Sequence, residues 1–408
     1  MLPLLVLLFF SLSSLSSSVI ITHLPGFHGR LPFYLETGYV SVDEEKGVEL
    51  FYYFIKSERK PNEDPVLLWL SGGPGCSSFN GLVFEIGPLR FVKAEYNGSL
   101  PELVYFPHSW TKVANIIFLD SPVGAGFSFS ASPEGYIVGD ISSSTQVHQF
   151  IIKWFIDHPQ FLSNPFYVGG DSYAGKVVPL ITHDISQGIE YGKQPILNLK
   201  GYLVGNPVTD EKIDKNYRLP YAHGVGIISD QIYELAKKHC EGEDYEDPRS
   251  APCVEVLNVV KKTYVRLLSY YWANNQSTKE ALGVKKGAAV REWQRCNHDL
   301  PYTQDLPSSI RYHYHLTSRG GYRALVYSGD HDLVVPFLGT QAWVRSLNFS
   351  IVDDWRSWGS GGQSAGFTIT YSNNMTFATV KGAGHDAPAF RPKQCLAMAR
   401  RWLSLKPL

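Results

Sequence analysis

Four short apolar runs, each followed by a turn containing Gly or Pro, constrain the fold of this chain more than any other feature. Such runs are typical of strands buried on both faces, as in a parallel sheet. The four runs are Val66–Leu70, Ile116–Leu119, Phe166–Gly169 and Ala324–Tyr327. Helical patterns lie between them, for example Thr145–Asp157 and Val177–Gln187, and alternation over Thr37–Val42 and Val48–Ile55 adds a hairpin. Strands alternating with helices predict an α/β fold with a mostly parallel central sheet.

The segment 229–300 departs from this pattern. It is richer in charge, holds three of the five cysteines and has helical periodicity over Val254–Leu268 without buried strand runs. Strand signals of the main sheet resume at Tyr322. We therefore interpret residues 19–408 as one domain in which 229–300 is a helical cap inserted over the sheet. An independent small domain is the alternative.

The first residues are typical of a secretory leader. Met1–Leu12 is almost entirely apolar, and a Ser-rich stretch follows to Ser18. This is too short to span a bilayer, so we predict a signal peptide over residues 1–18, with a buried N-terminal strand as the alternative. Glycosylation sequons agree with entry into the secretory pathway, to the vacuole or the extracellular space, and they lie at Asn97, Asn275, Asn348 and Asn374.

The charge balance argues against a nucleic-acid or membrane partner. The 408 residues include 37 Lys and Arg against 38 Asp and Glu, so no long-range field favours polyanions. No stretch after the leader is apolar enough to be a transmembrane helix. We expect a small-molecule or peptide substrate, and no pattern predicts an oligomeric state.

The segment 166–175 predicts a strand, a tight turn around Ser172 and a helix. It reads Phe-Tyr-Val-Gly-Gly-Asp-Ser-Tyr-Ala-Gly and resembles the nucleophile elbow, which lifts a serine hydroxyl clear of a sheet. Small residues at Gly170 and Ala174 suit this turn because the backbones of strand and helix nearly meet there. The usual G-x-S-x-G pattern has Ala at its last position here.

Two later segments supply partners for this serine. Residues 323–330 read as a buried strand ending on an acid, and 377–385 as a strand and Gly-rich loop ending on a histidine. Side chains past the carboxyl ends of strands form the sites of α/β sheets, and the order Ser, Asp, His is that of α/β-hydrolases. We predict an α/β-hydrolase fold with the catalytic triad Ser172, Asp330 and His385. The alternative makes Asp330 a turn residue and His385 an ordinary loop histidine.

A second loop can serve the same reaction. Trp69–Ser78 contains Gly-Gly-Pro-Gly directly after a buried strand, and such a turn can aim backbone N–H groups at a developing oxyanion. We assign the N–H groups of Gly73 and Tyr173 to this oxyanion hole. The loop is not a phosphate loop, because no Lys-Ser/Thr follows at the required offset.

Together, four blocks resemble the serine carboxypeptidase family, peptidase S10. They are 72–76, 170–175, 329–332 and 382–388, and the likeness runs from about Leu24 to the C-terminus. The sequences of Phe51–Ser57 and Thr376–Val380 are similar to those of the plant branch that includes acyltransferases using glucose esters.

The resemblance implies a substrate pocket beside the triad. Family peptidases hold the substrate's C-terminal carboxylate with one Asn and two Glu, which we map onto Ser71, Asp171 and Asp386; we also assign Gly72 to this pocket. Asp before the nucleophile is typical of the acyltransferase branch, whereas an acid after the histidine is not. We expect acyl transfer from a glucose ester to an alcohol, with a carboxypeptidase acting at acid pH as the alternative. Asp171 could also serve only as a hydrogen-bonding residue of the turn.

Cysteine usage indicates two disulfides and one thiol in an oxidising compartment. The resemblance implies the pairs Cys76–Cys296 and Cys240–Cys253, with Cys395 free. The first pair would bring Arg295 beside the Gly-rich loop, where it could bind a carboxylate of the donor or acceptor. A surface or salt-bridged arginine is the alternative.

The mechanism implied by the triad needs no metal or organic cofactor, and the cysteines lack zinc-site spacing. A catalytically inactive binding protein on the same fold is a further alternative. Asp171 and Asp386 adjoin the nucleophile and the base, so we expect them to lie close together and share a proton. A bell-shaped pH profile follows, with an alkaline limb that flattens in Asp386→Asn.

Overall fold

The computed structural model describes residues 18–93, 96, 98–240, 245, 253, 268–287 and 291–408. Most of the predicted signal peptide, the sequon at Asn97 and nearly all of the helical pattern at 254–268 lie outside these residues.

The strands of the described residues form one large sheet and two small ones. Their bounds are β1 Ser18–Ile21, β2 Leu35–Asp43, β3 Val48–Ile55, β4 Val66–Leu70, β5 Leu89–Phe91, β6 Leu103–Tyr105, β7 Asn115–Leu119, β8 Phe129–Ser130, β9 Val138–Gly139, β10 Phe166–Asp171, β11 Leu199–Gly205, β12 Tyr302–Thr303, β13 Arg323–Gly329, β14 Ile351–Ser360, β15 Gln363–Tyr371 and β16 Met375–Val380. The large sheet has the order β1-β2-β3-β7-β4-β10-β11-β13-β16-β15-β14, with β8 beside β3.

The helices of the described residues flank this sheet or connect its strands. They are α1 Asp140–Asp157, α2 Ala174–Glu190, α3 Glu211–Asn216, α4 Arg218–Gly224, α5 Asp230–His239, α6 Leu268–Asn274, α7 Gln276–Ala281, α8 Ile310–Ser318, α9 Phe337–Ser346, α10 Ala387–Phe390 and α11 Pro392–Leu403. A single π-helical turn, Gly81–Glu85, follows β4.

The centre of the sheet is parallel, as the apolar runs predict. The neighbours β7, β4, β10, β11, β13 and β16 all pair in parallel. Antiparallel strands extend both ends, including the predicted hairpin β2–β3. The α/β class with a mostly parallel central sheet is therefore confirmed, and the carboxyl ends of six strands meet at one edge.

Strand β4 illustrates why these runs are apolar throughout. All five of its residues are buried, and they alternate between two hydrophobic layers. Leu67 and Trp69 pack into one layer, whereas Val66 and Leu68 pack into the other. Burying each such side chain contributes about 1.5–3 kcal/mol, so a polar residue on either face is unfavourable.

Helix α1 covers the second layer with a regular apolar stripe. Val147, Phe150, Ile151 and Trp154 are buried, at the i, i+3, i+4, i+7 spacing of an amphipathic helix. The helix begins at Asp140, five residues before the predicted start. Its first turn is Asp-Ile-Ser-Ser-Ser, which lacks the apolar periodicity on which the prediction relied.

The connection from β11 to α8 contains the segment predicted as a cap. The described residues of the whole connection form α3–α7 and the short strand β12. Trp272 on α6 is buried and stacks on Phe79, with ring centroids 5.0 Å apart. The Trp272 Nε1 atom donates to the carbonyl of Pro25 at 2.8 Å. This segment thus packs onto Phe79, which follows β4, and onto Pro25, which precedes β2.

Both predicted disulfides are present. Cys76 pairs with Cys296 across 220 positions of sequence, and Cys240 pairs with Cys253. Cys395 is a free, buried cysteine on α11, and burial raises the pKa of its thiol. Among the residues that the structure describes, no helix combines the length and apolarity needed to cross a membrane.

Candidate active site

Ser172 stands on a strained turn between β10 and α2. Its φ is +55°, a left-handed conformation that residues other than Gly rarely adopt. A Cβ on Gly170 would lie 2.5 Å from the carbonyl oxygen of Leu70 and 2.7 Å from Cβ of Ala174. Strand and helix therefore approach as closely as predicted. The local geometry is that of a nucleophile elbow.

His385 lies within hydrogen-bond distance of this serine. The loop after β16 brings Nε2 of His385 to 2.8 Å from Oγ of Ser172. Nδ1 of His385 lies 2.8 Å from Oδ2 of Asp332. Ser, His and a carboxylate thus form a continuous hydrogen-bonded chain, in which the histidine can accept the serine proton while the carboxylate orients the ring.

The prediction of Asp330 as the acid of the triad is wrong, because the structure places Asp332, not Asp330, beside Nδ1 of His385. Oδ1 of Asp330 accepts hydrogen bonds from the backbone N–H of Gly382, at 2.6 Å, and from Nδ1 of His331, at 2.7 Å. The chain turns directly after β13, so the first acid faces the neighbouring loop. The second acid, two residues later, points toward His385.

Asp332 is held by more than the histidine. It is 1% exposed, and its Oδ2 also accepts a hydrogen bond of 2.8 Å from Nδ2 of Asn206. The backbone N–H groups of Val334 and Val335 donate to the same carboxylate. Asn206 was not found from the sequence. The feature that could have indicated Asn206 is its place as a polar residue directly after β11, at the same edge of the sheet.

The loop 71–78 faces the nucleophile from the end of β4. A Cβ on Gly72 would lie 2.6 Å from Cβ of Ser172 and 2.6 Å from the backbone nitrogen of Tyr173, so only glycine fits there. Tyr173 directly precedes α2, and backbone N–H groups at a helix N-terminus favour negative charge. The assignment of Gly73 and Tyr173 as oxyanion donors stays a prediction that this proximity supports.

Three carboxyl groups gather beside the Ser172–His385 pair. One oxygen from each of Glu85, Asp171 and Asp386 lies within 4.8 Å of the others. Nε1 of Trp69 donates to Glu85 at 3.0 Å. Oδ1 of Asp171 is buried and finds no hydrogen-bond partner among the described residues. Asp171 and Asp386 are therefore as close as predicted. Hard cations favour such oxygen ligands.

This carboxyl cluster changes the acid–base behaviour of its members. Burial, then the charges of Glu85 and Asp386, raise the pKa of Asp171 well above its usual range. Burial acts to lower the pKa of His385, but Asp332, Asp386 and Glu85 outweigh it, and the net shift is upward. The cluster therefore favours a proton on Asp171 and a positive charge on His385.

Glu85 is the member that sequence reasoning missed. It ends the π-helical turn 81–85 and is 5% exposed. A Cβ on Gly81 would lie 2.6 Å from the ring of Trp69, so the turn packs tightly on that indole and carries Glu85 into the cluster. The feature that could have indicated Glu85 is an acid at the end of the otherwise apolar segment Gly81–Glu85. Glu85 thus adds a full-length glutamate to the two aspartates of the predicted pocket.

The remaining predicted pocket residues lie near the loop 71–78. Ser71 is buried, and its Oγ has no hydrogen-bond partner within the described part of the chain. The Cys76–Cys296 disulfide brings the backbone of Arg295 alongside, since its carbonyl accepts the N–H of Ser77 at 2.9 Å. The Arg295 side chain is exposed. Its role toward a substrate stays a prediction.

A parallel α/β sheet with a serine elbow, a histidine after the last parallel strand and an acid between them in sequence defines an α/β-hydrolase. The serine carboxypeptidase family model (peptidase S10) matches residues 25–271 and 261–405, and the chain belongs to this family.

Relatives and a solved structure agree with this assignment. Serine carboxypeptidase-like 7 of Arabidopsis thaliana is 49% identical over 430 residues, covering 99% of this chain and 98% of the relative. Serine carboxypeptidase-like 3 of the same plant is 50% identical over 418 residues, covering 96% and 94%. The crystal structure of a prohormone-processing carboxypeptidase from Saccharomyces cerevisiae superposes with a TM-score of 0.73 at 19% identity, covering 90% of each chain. That last similarity supports the fold.

Proposed function

We propose that this protein is an acyl-transfer enzyme that moves an acyl group from a glucose ester to an alcohol through an acyl-enzyme on Ser172. The observation that carries the proposal is the carboxyl cluster Glu85–Asp171–Asp386 beside the Ser172–His385 pair. Carboxylates accept hydrogen bonds, and sugar or alcohol hydroxyls donate them. A substrate carboxylate would instead meet the negative charges of Glu85 and Asp386, and Ser71 lacks the amide donor that the family's Asn would supply.

The chemistry follows from the hydrogen-bonded chain. Ser172 Oγ attacks the ester carbonyl while Nε2 of His385 takes its proton, and Asp332 stabilises the resulting imidazolium. The oxyanion of the tetrahedral intermediate meets the N–H groups of Gly73 and Tyr173. Glucose leaves with the proton from His385. An alcohol then attacks the acyl carbonyl while its proton passes to His385, and the tetrahedral intermediate expels Oγ of Ser172, which takes that proton from His385.

A carboxypeptidase acting at acid pH is the second candidate, and two observations favour it. Glu85 keeps one full-length glutamate in the cluster, and the raised pKa of Asp171 keeps a carboxylic acid proton available. A protonated Asp171 can donate a hydrogen bond to the C-terminal carboxylate of a peptide. The same Ser172 acyl-enzyme would then react with water.

Product analysis separates these activities. The purified protein is incubated at pH 5 and pH 7 with phenolic glucose esters or blocked dipeptides, with and without alcohols, and products are identified by mass. Transfer predicts a new ester that forms only when both glucose ester and alcohol are present. Release of a C-terminal amino acid without ester formation would support the peptidase instead. Ser172→Ala is the matched control. An inactive binding protein predicts no product and no labelling of Ser172 by a fluorophosphonate.

We further propose that residues 229–300 form a cap over this site and that the protein acts in the secretory pathway, in the vacuole or outside the cell. The disulfide Cys76–Cys296 supports the cap, because it joins the end of this segment to the loop beside Ser172. The two disulfides and the exposed sequon residues Asn348 and Asn374 support an oxidising compartment. A fluorescent fusion with and without residues 1–18 tests the location.

A further inference from the structure

Asp120 is a fully buried acid that the reaction described above does not use. It directly follows β7 and has no exposed surface. Its Oδ1 accepts hydrogen bonds from Oγ of Ser77, at 2.6 Å, and from the backbone N–H of Ser78, at 2.9 Å. Its Oδ2 accepts the backbone N–H of Phe127 at 2.9 Å. Each carboxyl oxygen therefore holds a different segment of the chain.

Two of these bonds lead to the loop that faces the nucleophile. Oγ of Ser78 accepts the N–H of Ser71 at 3.1 Å and donates to the carbonyl of Trp69 at 3.3 Å. Ser71 directly precedes Gly72, on which a Cβ would lie 2.6 Å from Cβ of Ser172. Ser78 thus connects the buried carboxyl to the start of the loop 71–78. Its backbone N–H donates to Asp120, and its Oγ accepts the N–H of Ser71.

The surroundings of Asp120 leave its carboxyl little freedom. A Cβ on Gly126 would lie 2.0 Å from Oδ2 of Asp120, so the following turn closes directly over the carboxyl. Burial raises the pKa of Asp120 to about 7. Either protonation state keeps the two backbone bonds, because each oxygen retains a lone pair and the Ser77 hydroxyl can rotate to accept a proton.

We propose that Asp120 is a positioning residue that holds the loop 71–78 at the distance from Ser172 required for oxyanion binding. Oxyanion donors act within about 2.7–3.1 Å of the charge that develops, and losing one costs about 10²–10³ in kcat. A small displacement of the loop should therefore reduce the rate without unfolding the chain. The inference rests on the proposed function, in which Ser172 is the nucleophile.

The test compares two variants with a matched control. Asp120→Asn keeps the volume but turns one acceptor oxygen into an NH₂ group that faces a backbone N–H. Ser78→Ala removes the Oγ that accepts the N–H of Ser71 and leaves Asp120 intact. The control is Asp64→Asn, because Asp64 is also buried, at 3% exposed, and accepts hydrogen bonds from Ser57, Lys60 and Arg59. It precedes β4 and so lies at the opposite end of that strand.

The measurements are the melting temperature, the fraction of Ser172 labelled by a fluorophosphonate at completion, and the hydrolysis of p-nitrophenyl acetate per labelled site. We expect Asp120→Asn and Ser78→Ala to lower kcat at least about 10-fold, with KM changed less than about threefold, and the double variant to lose no more than the worse single one. Asp64→Asn should lower only the melting temperature. If Asp120→Asn does not fold, Ser78→Ala decides alone.

Wild-type kcat per labelled site in the folded variants would overturn the inference, since the network would then serve stability only. Equal loss of kcat in Asp64→Asn would overturn it as well. A wild-type protein that a fluorophosphonate does not label would refute the proposed function and this inference together.

Discussion

Oδ2 of Asp332 lies 2.8 Å from Nδ1 of His385, and the same oxygen accepts a hydrogen bond from the amide of Asn206. The carboxylate is almost fully buried, so water does not weaken these bonds. Asp332 therefore selects the tautomer of His385 whose Nε2 is free to accept the proton of Ser172.

The first prediction is that Asp332→Asn lowers kcat by about 10³–10⁴, because the amide favours the wrong histidine tautomer. Asp330→Asn, which disturbs only the contacts to Gly382 and His331, should lower kcat less than about tenfold. Turnover of an activated ester, normalised to folded protein, measures both. Equal losses in the two variants would contradict the assignment of Asp332. Ser172→Ala should retain only a small residual turnover, and combining it with Asp332→Asn should lower that residual turnover little further.

The acid limb of the pH profile should depend on Asp386 more than on Glu85. His385 must be neutral to accept the serine proton, and activity falls as pH decreases through its raised pKa. Among the cluster acids, Asp386 raises this pKa more than Glu85 does. Asp386→Asn should therefore move the acid limb of kcat/KM to lower pH, and Glu85→Gln should move it less. A larger shift in Glu85→Gln would refute this electrostatic account.

The alkaline limb should show the opposite ranking. Glu85 raises the pKa of Asp171 more than Asp386 does. If substrate binding needs the proton on Asp171, activity is lost as pH rises through that pKa, and removing a neighbouring charge brings the loss to lower pH. Glu85→Gln should shift the alkaline limb further than Asp386→Asn. An alkaline limb unchanged in both variants would return Asp171 to a structural role in the turn.

Metal removal gives a further prediction, because the carboxyl cluster consists of oxygen ligands that suit a hard cation. The proposed reaction uses Ser172, His385 and Asp332 and requires no metal. We expect activity after treatment with EDTA and gel filtration to equal that of the untreated protein. Full loss of activity, restored by a divalent cation, would overturn the mechanism and assign the cluster as a metal site.

The two disulfides should differ in their effect on activity. Cys76–Cys296 closes a loop of about 220 residues and adjoins the loop 71–78. Its removal in Cys76→Ser/Cys296→Ser should cost about 3–5 kcal/mol of stability and lower kcat. Cys240→Ser/Cys253→Ser, which opens a loop of 13 positions, should cost stability with kcat retained. Urea titration and turnover of folded protein measure the two effects, and equal kcat in both variants would show that the first disulfide is purely structural.

The sequence by itself determined the sheet and the identity of two members of the triad. Short apolar runs bounded by Gly- or Pro-containing turns, such as Val66–Leu70, are typical of central strands buried on both faces, and the pattern lies within a few consecutive residues. The turn around Ser172 and the loop before His385 carry their small residues beside them in sequence. The elbow and the histidine were therefore predicted from the residues that build them.

Only the tertiary structure decided which acid completes the triad and which acids surround it. Asp330 and Asp332 both follow β13, and the direction of the chain after the strand, not the residue type, chooses between them. Glu85 is 86 positions before Asp171, and its turn reaches the site by packing on Trp69. Such proximity depends on long-range packing and hydrogen bonding between segments far apart in the chain, which no local pattern encodes.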